Sequence, residues 1–204
     1  MVKDRYEFRE TRNASAIIAA TNATELQDLI SVLEWFRLSN ADITGAGGNK
    51  SDLAARIDER FRELGWREGR HDTRIESALR LMPYRPAGER DVRVTASEVI
   101  NEGYKVDNVK GRVALDVEWN AKDGNLDRDI GAYRALYHAG IIDVGVILTR
   151  TQDDLRELAR SKNPKTTKFG TTTTTNLTKL IPRMTRGDGG GCPLLAVAIT
   201  SRCV

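Results

Sequence analysis

The densest set of side chains able to do chemistry lies between residues 107 and 122: Asp107, Asp116, Glu118 and Lys122. In Val113-Ala-Leu-Asp-Val-Glu-Trp119 apolar and polar residues alternate, the period of a strand with two unlike faces. Val113, Leu115, Val117 and Trp119 turn one way, towards a core. Ala114, Asp116 and Glu118 turn the other way. Lys105 to Val109 alternates as well, and Lys110-Gly111 offers a turn, so a β-hairpin is expected. If Lys110-Gly111 is a two-residue turn, Val109 faces Arg112 and Asp107 faces Ala114. Asp116 is then the diagonal neighbour of Asp107, about 7–8 Å away between Cα atoms. Carboxylates crowded on one patch repel unless a cation sits among them. A hard ion such as Mg²⁺ suits Asp107, Asp116 and Glu118, because it takes oxygen ligands and keeps several waters. Such an ion activates water and polarises a phosphoryl oxygen, which is the chemistry of phosphodiester hydrolysis. Lys122, just past the strand, could orient the water or offset phosphate charge. A solvated acidic strand face explains the same residues equally well, since an Asp followed by D-x-E is common.

Several elements must position these groups. Leu26, Leu29, Ile30, Leu33 and Phe36 repeat at helical spacing after Asn22 or Thr24 as a cap, and this helix belongs either to the core or to a subunit interface. Ser51 could cap a second helix carrying Leu53, Ile57 and Leu64, with Gly65 ending it. Short helices are expected over Thr73 to Met82 and Ala96 to Asn101, separated by a Pro- and Gly-bearing linker. After the hairpin come a helix over Asp127 to Ala139, an apolar run from Ile141 to Leu148 that reads as a buried strand, a helix over Gln152 to Arg160, and a last buried strand from Leu194 to Ile199. The class is α/β: a mixed central β-sheet flanked by helices, with a helical N-terminal region. One domain spans 1–204, with a mainly helical part over 1–100 and the chemistry in 104–204.

Composition narrows the class. The 204 residues include 32 basic and 29 acidic ones, so any nucleic-acid footprint must come from local clustering rather than from the net charge of +3. Cys192 and Cys203 form no CxxC pair and read as free thiols. The charged N-terminus and the absence of an apolar run near 20 residues point to a cytoplasmic protein without a membrane span. His71 and His138 have no partner at metal-ligand spacing and read as structural or surface residues. Asp42 to Lys50 is a glycine-rich loop without P-loop spacing. Its end, Asn49, Lys50 and Ser51, is a flexible connection or a DNA-contacting segment.

The residues also carry a resemblance. Asp107 with Val113-Ala-Leu-Asp-Val-Glu-Trp-Asn120, then Lys122-Asp-Gly-Asn-Leu-Asp-Arg-Asp129, Ile142-Asp-Val-Gly-Val146 and Pro193-Leu-Leu-Ala-Val-Ala-Ile199, is similar to the active-site region of BglII- and BstYI-like type II restriction endonucleases. The likeness runs from about Tyr104 onwards. It implies a restriction-endonuclease-like core of the PD-(D/E)xK type, Mg²⁺-dependent cleavage of double-stranded DNA at a short palindromic site, a homodimer, and a cognate DNA methyltransferase in the same host. Carried over, Asp107 and Asp116 resemble metal ligands, and Glu118 takes the third position, often Lys in the wider superfamily. Glu98 and Glu102 are both candidates for an upstream acidic position. In that setting Thr173, Thr174, Thr175 and Asn176, with Lys179, Arg183 and Arg186, become a DNA-contacting loop: hydroxyls and Lys for phosphates, Asn and Arg for base edges. The alternatives are a DNA-binding protein on a catalytically degenerate nuclease core, a repair-type nuclease, and an unrelated domain with an acidic hairpin.

Overall fold

The computed structural model describes residues 2–45, 52–170 and 173–204. Six strands form one mixed sheet: β1 (Tyr6–Thr11), β2 (Arg67–Arg70), β5 (Lys105–Lys110), β6 (Val113–Val117), β7 (Val144–Arg150) and β8 (Leu194–Ile199), in the spatial order β1-β8-β7-β6-β5-β2. The three central strands β6, β7 and β8 run parallel, and their neighbours on each side pair antiparallel. All three central strands are buried along their full length, as expected of strands covered on both faces.

Two unlike faces explain how the helices pack. One face carries Val113, Leu115, Val117, Val144, Val146, Leu148, Leu195 and Val197. It is covered by α2 (Ala14–Thr21), α3 (Ala23–Trp35), α4 (Asn40–Thr44), α5 (Asp52–Glu63) and α7 (Asp153–Lys162). The other face is built from smaller residues, Ala114, Gly145, Ala196 and Ala198, and takes α6 (Gly124–His138) and α8 (Leu177–Thr185). The short α1 (Val2–Arg5) precedes β1. The helix from Leu26 packs inward through Leu29, Val32 and Leu33, with Phe36 following, and Gly65 ends α5 at φ +91. Among the described residues no helix is long and apolar enough to cross a membrane. Both cysteines are free and buried.

Three expectations are corrected. Thr73 to Met82 and Ala96 to Asn101 are not helices. They belong to β3 (Thr73–Leu81) and β4 (Arg93–Asn101), nine residues each, paired in an antiparallel ribbon. A four-residue spacing such as Ile75 to Leu79 fits a strand face as well as a helix face. Thr73, Ile75, Val94, Thr95, Val99 and Ile100 are β-branched and tip the choice. The segment from Leu177, read as part of a loop, is helix α8, with Leu177, Leu180 and Met184 buried and Asn176 accepting from Lys179 N at 3.0 Å as its cap. The hairpin turn is Gly111-Arg112 rather than Lys110-Gly111. Lys110 pairs with Val113 and Val109 with Ala114. Gly111 takes φ +52, the positive value a glycine-first hairpin turn requires.

The ribbon joins the sheet at one place. Asp72 Oδ1 accepts from Gly103 N at 3.1 Å, and a Cβ at residue 103 would lie 1.9 Å from the His71 carbonyl oxygen, so only glycine fits there.

Candidate active site

The new register changes the geometry of the acids without changing their faces. Continuing the observed pairing places Asp107 across from Asp116 rather than diagonal to it. The contact is direct, because Asp107 N donates to Asp116 Oδ1 at 2.8 Å. Tyr133, on α6, donates its hydroxyl to Asp116 Oδ2 at 2.6 Å and to Val146 O at 2.8 Å, sharing one proton between them. Both oxygens of Asp116 are thereby oriented. The close approach depends on Gly145: a Cβ there would lie 2.3 Å from the Tyr133 ring.

Glu118 follows β6, and its backbone is fixed from three sides. Its N–H donates to Leu148 O at 2.8 Å, and its carbonyl accepts from Thr149 Oγ1 at 3.0 Å and Thr175 Oγ1 at 3.1 Å. Its carboxylate points to α6, where Asn125 Nδ2 donates to Oε1 at 3.4 Å. Asp129, also on α6, lies within hydrogen-bonding reach of it. Asp116, Glu118 and Asp129 are 2%, 3% and 1% exposed, so this face of β6 is interior and not a solvated acidic surface.

The electrostatics follow from that burial. Asp116 is held well above the usual carboxylate range by burial and by repulsion from Asp129, against the pull of the Tyr133 hydroxyl and the Asp107 N–H. Burial pushes Glu118 up to about 7, and burial with repulsion from Glu118 pushes Asp129 up to about 8. Burial and mutual repulsion disfavour the ionised forms of all three, and a cation among them offsets both effects. Glu118 Oε2 and Asp129 Oδ2 meet no donor. Orphaned carboxylate oxygens in a dry site are the donor set that a hard divalent cation takes. Among the described residues no three His, Cys, Asp or Glu side chains already converge as a ligand set. A cation that keeps waters and substrate oxygens needs only one or two protein carboxylates.

The remaining sequence candidates divide. Lys122 is exposed past the strand, its backbone bridged to Thr174. Glu98 sits on the ribbon beside Arg74 at 3.0 Å, and Glu102 lies beside Arg70, the last residue of the edge strand β2, at 3.6 Å. Thr173 is exposed, and Thr174 Oγ1 accepts from Arg150 Nη2 at 3.0 Å. Thr175 and Asn176, read as DNA contacts, are turned inward in this structure. The Thr175 hydroxyl is used on Glu118 O, and the Asn176 side chain on the α8 N-terminus and on Gln152. Lys179 and Arg183 lie on α8, Lys179 pairing with Asp123, the residue before α6, at 3.0 Å and Arg183 with Asp127 on α6 at 2.7 and 2.9 Å. Arg186 pairs with Asp188 at 2.7 Å. Asn49, Lys50 and Ser51 lie outside the described residues.

Sequence reasoning missed Asp129 and read Tyr133 only as core packing. A signal was present. Leu126, Ile130, Tyr133 and Leu136 form the buried stripe of α6, and Asp129 occupies a position on that stripe.

Comparison with known proteins agrees with this architecture. A family model described as restriction endonuclease BglII/BglIII matches residues 6–199. No curated protein matches the chain. The match begins at the first residue of β1 and ends at the last residue of β8, so it takes in the whole six-stranded sheet and the acid-bearing hairpin. The chain belongs to the BglII/BglIII restriction endonuclease family, whose members are site-specific deoxyribonucleases that hydrolyse DNA at defined sequences.

Proposed function

We propose that the face of β6 bearing Asp116 and Glu118, with Asp107 opposite, is the centre at which this enzyme performs Mg²⁺-dependent hydrolysis of double-stranded DNA, leaving 5′-phosphate ends. The observation that carries this reading is the set of interior carboxylates facing α6, which repel one another and leave oxygens without donors. A bound Mg²⁺ supplies activation of water and charge neutralisation at the scissile phosphate. The protein's part is to hold Asp116 in one orientation through Asp107 N–H and Tyr133, and to fix Glu118 through its triply bonded backbone. Lys122 and Thr173, exposed at the rim, offer a cation and a hydroxyl to the DNA backbone. Lys179, Arg183 and Arg186 reach phosphate or base edges by exchanging their carboxylate partners. Asn49, Lys50 and Ser51 are proposed as further contacts.

One hairpin centre per chain cuts one strand. A homodimer with two-fold symmetry therefore suits a palindromic site and a double-strand break. A cell holding such an enzyme needs its own copies of the site protected, which a DNA methyltransferase of matching specificity provides. The chain works as a single nuclease domain over residues 1–204, the hairpin and DNA-reading segments lying in 104–204.

The test is direct. Purified protein is incubated with a long DNA of known sequence, with Mg²⁺ and with EDTA. Discrete Mg²⁺-dependent fragments support the reading, and their mapped ends give the site and cut position. Intact DNA across diverse substrates, with DNA binding retained, favours a binding protein on a degenerate nuclease core.

A further inference from the structure

The buried stripe of α6 pairs the two acids after Ala114 one by one. Tyr133 reaches Asp116, and Asp129, one turn earlier on the same face, reaches Glu118. Asp129 is 1% exposed, among Leu126, Ile130 and Tyr133. One of its oxygens has a partner, since Arg128 donates to Oδ1 through Nε and Nη2, both at 3.2 Å. Its Oδ2 has none, and neither does Glu118 Oε2. Two neighbouring carboxyls, each with an oxygen that lacks a donor, are satisfied by a shared proton, by a water or by a cation between them. A carboxylate placed in an apolar stripe without such a partner is disfavoured.

Resting on the cation-dependent hydrolysis proposed above, we propose that Asp129 is a ligand of the catalytic cation, sharing it with Glu118, so that the metal site is built between strand β6 and helix α6 and not within the hairpin alone. Tyr133 is then a positioning residue that acts through Asp116. Two carboxylates leave the other coordination positions to water and to a phosphate oxygen. A purely structural polar pair holds a proton and is indifferent to divalent ions.

The experiment measures Mn²⁺ binding by titration calorimetry, without DNA, on the full chain and on Asp129→Asn, Asp129→Glu and Asp116→Ala. Asp129→Asn keeps the shape and removes the charge. It is expected to weaken Mn²⁺ binding at least tenfold and to lower cleavage at least a hundredfold. Asp129→Glu restores a carboxylate and is expected to bind Mn²⁺ more tightly than the amide variant. If Asp129→Asn does not fold, Asp129→Ser is judged by the same criteria. Wild-type Mn²⁺ affinity in the neutral variant overturns the inference, whatever happens to cleavage. The proposed centre fails separately: fully active Asp116→Ala would remove it, and an inactive Asp116→Ala beside unchanged Mn²⁺ binding in Asp129→Asn would remove only the role given to Asp129.

Discussion

Two antiparallel hairpins follow one another along this chain, and they meet opposite fates. The ribbon β3–β4 pairs nine residues with nine, yet every residue of β4 and nearly all of β3 are exposed. The hairpin β5–β6 pairs only three residues with three, yet every residue of β6 is buried. Both carry acids and cations. On the ribbon Glu98 meets Arg74 in water, and the pair is worth little. On β6 the same type of side chain is enclosed by α6, where charge is costly and geometry is fixed. Pairing makes a hairpin, but a neighbouring strand and a covering helix turn its acids into groups with altered chemistry.

That contrast can be tested, from the strongest effect down. Asp116→Ala should lower cleavage on the order of 10³-fold or more, a loss of several kcal/mol in transition-state stabilisation, with an unchanged far-UV spectrum. Quantified digestion of a mapped substrate checks it. An active variant would show that the buried hairpin is no more chemical than the exposed one. Gly145→Ala places a methyl group where the Tyr133 ring lies. Overpacking of this kind costs about 1–3 kcal/mol and should shift Tyr133 off Asp116, so denaturant titration and cleavage should both fall.

A third measurement uses pH. Glu118 and Asp129 stand at about 7 and about 8 in the fold, above their ordinary carboxylate values. Groups raised in this way favour the fold while protonated. Their contribution is fully present below about pH 4 and is lost as pH rises through 7 to 8. In EDTA the melting temperature should therefore be a few degrees lower at pH 8.5 than at pH 5.5, since ~1 kcal/mol moves a domain of this size by ~2–4 °C. Added Mn²⁺ should recover the loss at pH 8.5. A pH-independent melt would mean that the carboxyls are not strained by burial. The smallest effect belongs to the ribbon: Arg74→Ala should change stability by about 1 kcal/mol or less, read by the same denaturant titration.

The sequence was most legible where one periodicity had one meaning. Val113 to Trp119 alternates without ambiguity, and its apolar set lies in the larger core as expected. Leu194 to Ile199 reads as a buried strand because nothing polar interrupts it, and in Ile141 to Leu148 the single acid, Asp143, stands just ahead of β7, which starts at Val144. Ile75 and Leu79 misled, because their spacing serves a helix and a strand alike, and only the partner strand resolves it. The register of β5 on β6 was displaced because the turn depends on which residue takes a positive φ, and Gly111 stands first in the turn rather than second. Asp129 was passed over because its meaning lies in what it faces on the sheet, Glu118. That relation depends on Gly145 and on the depth at which α6 settles.

The pinch at Gly103 sets the ribbon apart from the sheet as an arm. The chain leaves the sheet before His71 and re-enters it beyond Gly103, so residues 73–101 stand on a narrow base where these two residues meet. Changes confined to this arm are expected to leave the register of the sheet strands in place, since β3 and β4 pair only with each other among the described strands. The pairing of β5 with β6, which carries the proposed centre, lies wholly on the other side of that pinch.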